Sequence, residues 1–104
     1  MQYGLENKVL KMIINCIAKY SEVEDLILFG SRAYGNYKIG SDIDLAIKGE
    51  IEFPVFLKIK SELEDLNLIY FIDLINYDDI NNDKLIEEID KKGVLLYSNE
   101  SIIV

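Results

Sequence analysis

The stretch SDIDLAIKG, residues 41–49, constrains this chain more than any other. Residues two apart on a strand point to the same face, roughly 6–7 Å apart along the chain. Ile43, Leu45 and Ile47 then make one apolar face, and Asp42, Asp44 and Ala46 make the opposite one. A strand of this kind can pack on the core through its apolar face and carries two carboxylates on the other.

The surrounding pattern supplies the rest of a layered fold. Leu5, Val9, Met12, Ile13, Cys16, Ile17 and Tyr20 recur at helical spacing, which predicts an amphipathic helix over about residues 3–20. EDLILFG reads as a strand ending at Gly30, and Ser31 is placed to cap a single turn before Gly35. Pro54 suits the first turn of a helix running over about residues 54–66, with Phe56, Ile59, Leu63 and Leu66 on one side. LIYFIDLI is apolar on both faces and reads as a strand in the middle of a sheet. Asn81 or Asn82 caps a last helix bearing Leu85, Ile86 and Ile89, and Gly93 takes the position after its end that favours glycine. VLLYS reads as a terminal strand, followed by an unassigned IIV tail. The expected class is α/β, in the order α-β-(turn)-β-α-β-α, with helices flanking a small sheet. The strand directions are not readable from these patterns.

The chain has 104 residues and no repeat or linker, so one domain, 1–104, with one modest core is expected. Its single cysteine, Cys16, has no partner for a disulfide and reads as a buried structural thiol. With no leader-like segment and no apolar run of about 20 residues, neither export nor a membrane partner is expected, and the cytoplasm is the simplest home. The absence of histidine excludes histidine-based triads and histidine-ligated zinc. The net charge of −8 argues against direct nucleic-acid binding, which needs a basic face.

Asp73 repeats the oddity of Asp42 and Asp44, as a lone charge among Phe71, Ile72, Leu74 and Ile75. If the two strands are neighbours, three carboxylates converge. Like charges this close oppose mutual ionisation, and burial opposes each charge separately. A divalent cation reverses that balance, because Mg²⁺ takes hard oxygen ligands and bridges carboxylates to substrate phosphates. Three aspartates and a nucleoside triphosphate suit two such ions, the clamp of in-line phosphoryl displacement, and Mn²⁺ suits the same ligands. The alternative is that Asp42 finishes a turn while Asp44 and Asp73 face solvent at a sheet edge. A calcium loop fits poorly, lacking its glycine, alternating oxygen ligands and distal glutamate.

Gly30 and Ser31, separated from Asp42 by ten residues, open a turn at a strand end, where backbone N–H groups can receive a phosphate and the Ser31 hydroxyl adds a donor. No Gly-Lys-Ser/Thr follows, so this is no Walker loop. Taken together, GSRAYGNYKIGSDIDLAI resembles the signature of the minimal nucleotidyltransferases, small members of the DNA polymerase β-like superfamily. The resemblance implies a polymerase β-like palm fold with a small mixed sheet. It also implies that Gly30 and Ser31 hold the β- and γ-phosphates while Asp42, Asp44 and Asp73 serve as Mg²⁺ ligands and catalytic acids. Arg32, the only arginine, stands beside the phosphate turn. It reads either as a phosphate contact or as a solvated surface residue. Tyr34 and Tyr37 read as packing aromatics or, less simply, as base-stacking ones.

The implied reaction is transfer of a nucleoside monophosphate from an NTP, AMP from ATP, with release of pyrophosphate. The larger relatives add a second domain over the nucleotide, for which 104 residues leave no room. An open cleft completed by a partner is therefore expected. Minimal nucleotidyltransferases of the MntA antitoxin type pair with HEPN toxins, and some adenylylate a toxin tyrosine. Val94–Leu96 and Ile102–Val104 are either a docking stretch or the last strand and a tucked end. Two alternatives stand beside the enzyme: a binding antitoxin that neutralises its partner by contact alone, and a small-molecule transferase of the aminoglycoside type.

Overall fold

A computed structural model describes residues 1–99. The IIV tail and Ile102–Val104 lie outside the described residues. The elements run α1 Asn7–Ala18, β1 Val23–Phe29, α2 Ser31–Tyr34, β2 Ile43–Gly49, α3 Phe53–Glu64, β3 Ile72–Asn76, a 3-10 turn Tyr77–Asp79, α4 Asp83–Lys92 and β4 Val94–Ser98. The four strands form one mixed sheet in the order β3-β2-β1-β4, with β1 antiparallel to β2 and β4 and with β2 parallel to β3.

Alternation along the two central strands divides the apolar residues between two layers. Leu26 and Leu28 of β1 join Ile43, Leu45 and Ile47 of β2 in the main core, against Leu10, Ile13 and Ile17 of α1 and Ile59 and Leu63 of α3. Ile27, Phe29 and Ala46 face the other way and meet Ile89 of α4. Each fully buried Leu or Ile in these layers stabilises the fold by roughly 1.5–3 kcal/mol relative to exposure. A polar clasp joins the end of α1 to α3: Lys19 Nζ and the Tyr20 hydroxyl both donate to Glu62, the lysine at 2.7 Å. The bond from Lys19, then that from Tyr20, holds the Glu62 carboxyl below its ordinary range. Cys16 is free and buried, and burial pushes its thiol pKa up, consistent with a structural role.

Four local expectations are corrected. The first helix starts at Asn7 rather than near residue 3, because Tyr3 and Gly4 both have positive φ and fold Gln2 back onto Leu5. β3 is an edge strand and not a central one. Residues 68–71 precede it as irregular chain, so Ile69 and Phe71 stand 93% and 69% exposed instead of filling a sheet. Ser31 is the first residue of α2 rather than its cap, a place taken by Gly30. Gly93 ends α4 with φ −64°, so its value is not left-handed freedom. A Cβ there would collide with the Ile89 carbonyl oxygen and press on Ile27. Asn82 does cap α4, accepting from the N–H groups of Lys84 and Leu85.

Candidate active site

Hydrogen-bonded register brings the acids together. Asp44 lies opposite Asp73 across the parallel β2–β3 pair and opposite Phe29 across the antiparallel β1–β2 pair. Neighbouring strands are about 4.8 Å apart, and residues in register share a face. Leu45 and Leu74, the next pair, both point into the main core, so Asp44 and Asp73 point to the α4 side. Asp42 precedes β2 by one residue. Asp42 and Asp73 are exposed while Asp44 is half-buried.

Charge and burial mark Asp44 as the centre of the group. Burial raises its carboxyl pKa above the ordinary value, and the charges of Asp73 and then Asp42 raise it further. Gly30 follows Phe29, the cross-strand partner of Asp44, so the turn begins directly beside this carboxylate. With φ +76°, Gly30 adopts a conformation that disfavours side chains, and a Cβ on it would collide with Asp44 Oδ2. The glycine thus makes room for the acid itself. The Gly30 carbonyl accepts from the Ala33 and Tyr34 N–H groups, closing the turn. The N–H groups of Ser31 and Arg32, at the start of α2, have no carbonyl within the turn to bond.

The hard oxygen donors suit a divalent cation, and the disfavoured charge of Asp44 is what such an ion relieves. Among the described residues, no three Asp, Glu, His or Cys side chains are already gathered tightly enough to hold an ion. The backbone register brings the two strand acids together, while exposed carboxylates of like charge keep apart in water.

Arg32 departs from both sequence readings. It is only 3% exposed, neither solvated nor turned toward the Gly30–Ser31 turn. Its Nε and Nη2 donate to the Ser41 carbonyl at 3.1 and 2.8 Å, and Nη1 donates to the carbonyls of Tyr3 and Gly4 at 3.0 and 3.3 Å. Its guanidinium carbon lies 5.5 and 4.9 Å from the ring centres of Tyr37 and Tyr70.

Sequence reasoning passed over the neighbours that α4 contributes. The Tyr34 hydroxyl is buried beside the Gly30 backbone and the Glu88 carboxylate. Burial raises its pKa most, and the nearby carboxylates of Glu88 and Asp44 add to that. Lys92 Nζ stands over the Tyr34 ring, 5.5 Å from its centre, which brings a cation to the flank of the turn. No local pattern announces Glu88 or Lys92, because only the docking of α4 on the sheet brings them here.

A curated relative from Methanocaldococcus jannaschii, provisionally named a protein adenylyltransferase, is 37% identical over 60 residues. That match covers 56% of this chain and 60% of the relative, so the chain spans less than two thirds of its length. A chain in the crystal structure of a toxin–antitoxin with AMP-PNP superimposes with a TM-score of 0.66 at 18% identity, covering 92% of this chain and 76% of that one. A chain in the structure of a tri-AMPylated Shewanella oneidensis HEPN toxin with its MNT antitoxin gives 0.58 at 18% identity, covering 88% and 74%. At such identities the structures establish a shared fold, the mixed sheet with flanking helices of a nucleotidyltransferase. The profile of the family described as polymerase beta, nucleotidyltransferase matches residues 11–102, and this chain belongs to that family.

Proposed function

We propose that the chain transfers AMP from ATP to a hydroxyl group, a tyrosine of a HEPN-type toxin partner, and acts thereby as an antitoxin. The single observation that carries this is the register of Asp44 against Asp73, with the Gly30–Ser31 turn opening beside them. Asp42, Asp44 and Asp73 would hold Mg²⁺, two ions in the fullest arrangement, with Mn²⁺ acceptable to the same oxygens. Such cations, when bound, would neutralise triphosphate charge and make the acceptor hydroxyl more acidic.

The chain's own groups do the rest. The Gly30–Ser31 turn, with its N–H groups and the Ser31 hydroxyl, receives the β- and γ-phosphates. Asp73, exposed on the edge strand, takes the proton of the acceptor hydroxyl. The acceptor oxygen then bonds to the α-phosphorus as the bond to the β-phosphate oxygen breaks, and pyrophosphate leaves. Catalysis of this kind rests on positioning and charge stabilisation, so few residues suffice. The exposure of Asp42 and Asp73 supports an acceptor that approaches from outside the chain. The name of the archaeal relative and the AMPylated toxin in the Shewanella complex support a protein acceptor. Among the described residues no helix is long and apolar enough to cross a membrane.

Label transfer tests the proposal. The protein is incubated with Mg²⁺, α-labelled ATP and the co-purifying partner, with Asp42→Asn as control. A labelled partner band that needs both Mg²⁺ and Asp42 is expected. An unlabelled partner that stays bound to both proteins would instead favour neutralisation by contact alone.

A further inference from the structure

Gly35, Asn36, Tyr37, Lys38, Ile39 and Gly40 are six consecutive exposed residues between the phosphate turn and Asp42. Gly35 and Gly40 both have positive φ, and a Cβ on either would meet nothing within 4 Å. Tyr37, packed against Gly4 and beside the Arg32 guanidinium, is the side chain that ties this exposed segment to the rest of the fold. One tight turn, with the Ser41 N–H donating to the Lys38 carbonyl at 3.0 Å and the Lys38 N–H to Ser41 Oγ at 2.8 Å, shapes its far end without anchoring it.

The anchor is Arg32. One edge of its guanidinium, Nε and Nη2, grips the Ser41 carbonyl, the peptide oxygen immediately before Asp42. The Nη1 corner grips the carbonyls of Tyr3 and Gly4, which belong to the folded-back N-terminal segment. Tyr37 and Tyr70 flank the cation. The backbone of Arg32 is meanwhile part of α2, directly after Ser31. One side chain thus closes the ten-residue connection into a ring and sets how far Asp42 stands from the Gly30–Ser31 turn. A lysine is a poor replacement, because its three donors sit on one nitrogen, whereas Arg32 reaches Ser41 and the Tyr3 and Gly4 carbonyls from separate nitrogens of one rigid plane.

From this geometry we infer that Arg32 is a positioning residue for the metal-binding carboxylate Asp42, acting through the Ser41 carbonyl. The inference rests on the metal-site reading of the proposed function. Groups that orient metal ligands without touching the metal typically carry about 10–100-fold in metal affinity.

The test is Mn²⁺ binding to the full chain, read from the free-ion signal in electron paramagnetic resonance. Wild type, Arg32→Lys, Asp42→Asn and the double variant are compared, with Asn82→Ala as a remote destabilised control. Arg32→Lys should bind Mn²⁺ about tenfold or more weakly than wild type. The same change should cost nothing further in the Asp42→Asn background, and Asn82→Ala should bind as wild type. Asp42-dependent binding that Arg32→Lys leaves intact overturns this inference alone. So does an Arg32→Lys loss that persists undiminished without Asp42, which would mark a general structural role. Wild-type binding indifferent to Asp42→Asn overturns the metal-site reading and this inference with it. Should Arg32→Lys fail to melt cooperatively, Tyr70→Leu takes its place in the same cycle. It removes one flank of the guanidinium, and a smaller loss with the same dependence on Asp42 is expected, while an unchanged affinity overturns the inference.

Discussion

Asp44 on β2 and Asp73 on β3 are register partners across a parallel strand pair, two like charges on one face of the sheet. That pairing is unfavourable for a protein without a cation, since the Asp73 charge adds to burial in raising the pKa of the Asp44 carboxyl. Asp73→Asn removes the repulsion and a proton acceptor together. Thermal melts in chelator should show the variant more stable than wild type, and labelled-nucleotide assays should show activity reduced by about 10² or more. A variant less stable than wild type in chelator would mean that the two carboxylates do not repel across this pair.

Gly30 is held at φ +76°, with Asp44 Oδ2 in the space a Cβ would occupy. Gly30→Ala must strain the backbone and push the carboxylate aside, at a cost of about 1–3 kcal/mol. Urea unfolding should register that loss, with a parallel loss of nucleotide transfer. Unchanged stability would mean that the turn relaxes freely.

The clasp at Glu62 predicts an acid-side dependence. Lys19 first, and Tyr20 second, depress the Glu62 carboxyl below its ordinary value of 4.5. A depressed folded-state pKa contributes stability that is present above the unfolded value and is lost as pH falls through the folded one. Melting temperatures measured down through and below pH 4.5 should therefore fall less steeply for Glu62→Gln than for wild type. Parallel curves would dissociate the clasp from acid unfolding.

Asn82 satisfies two N–H groups at the start of α4, the helix that covers the Ile27, Phe29 and Ala46 layer. Asn82→Ala should cost about 1 kcal/mol, read as a lowered urea midpoint with an unchanged slope. Hydrogen exchange should quicken first in α4, and an even quickening over the whole chain would contradict a local cap.

The sequence by itself determined the two faces of β2, the Gly30–Ser31 turn and a cap for α4 at Asn81 or Asn82. These depend on contacts between residues two to four apart, which the chain carries wherever it goes. Only the tertiary structure decided that β3 lies at an edge beside β2 in parallel. That register turned Asp73 from a lone charge among apolar residues into the partner of Asp44. The same holds for Arg32, whose position beside the phosphate turn suggested a phosphate contact or a solvated surface residue. Its guanidinium went instead to the Ser41, Tyr3 and Gly4 carbonyls, because a buried cation must be paired or hydrogen-bonded and the folded-back N-terminal segment supplied acceptors that no local pattern could announce. Lys92 and Glu88 likewise reach the turn only through the docking of α4 on the sheet. Local spacing encodes which face a residue takes, but which groups meet across strands and layers depends on pairings distant in sequence, and those exist only once the chain has folded.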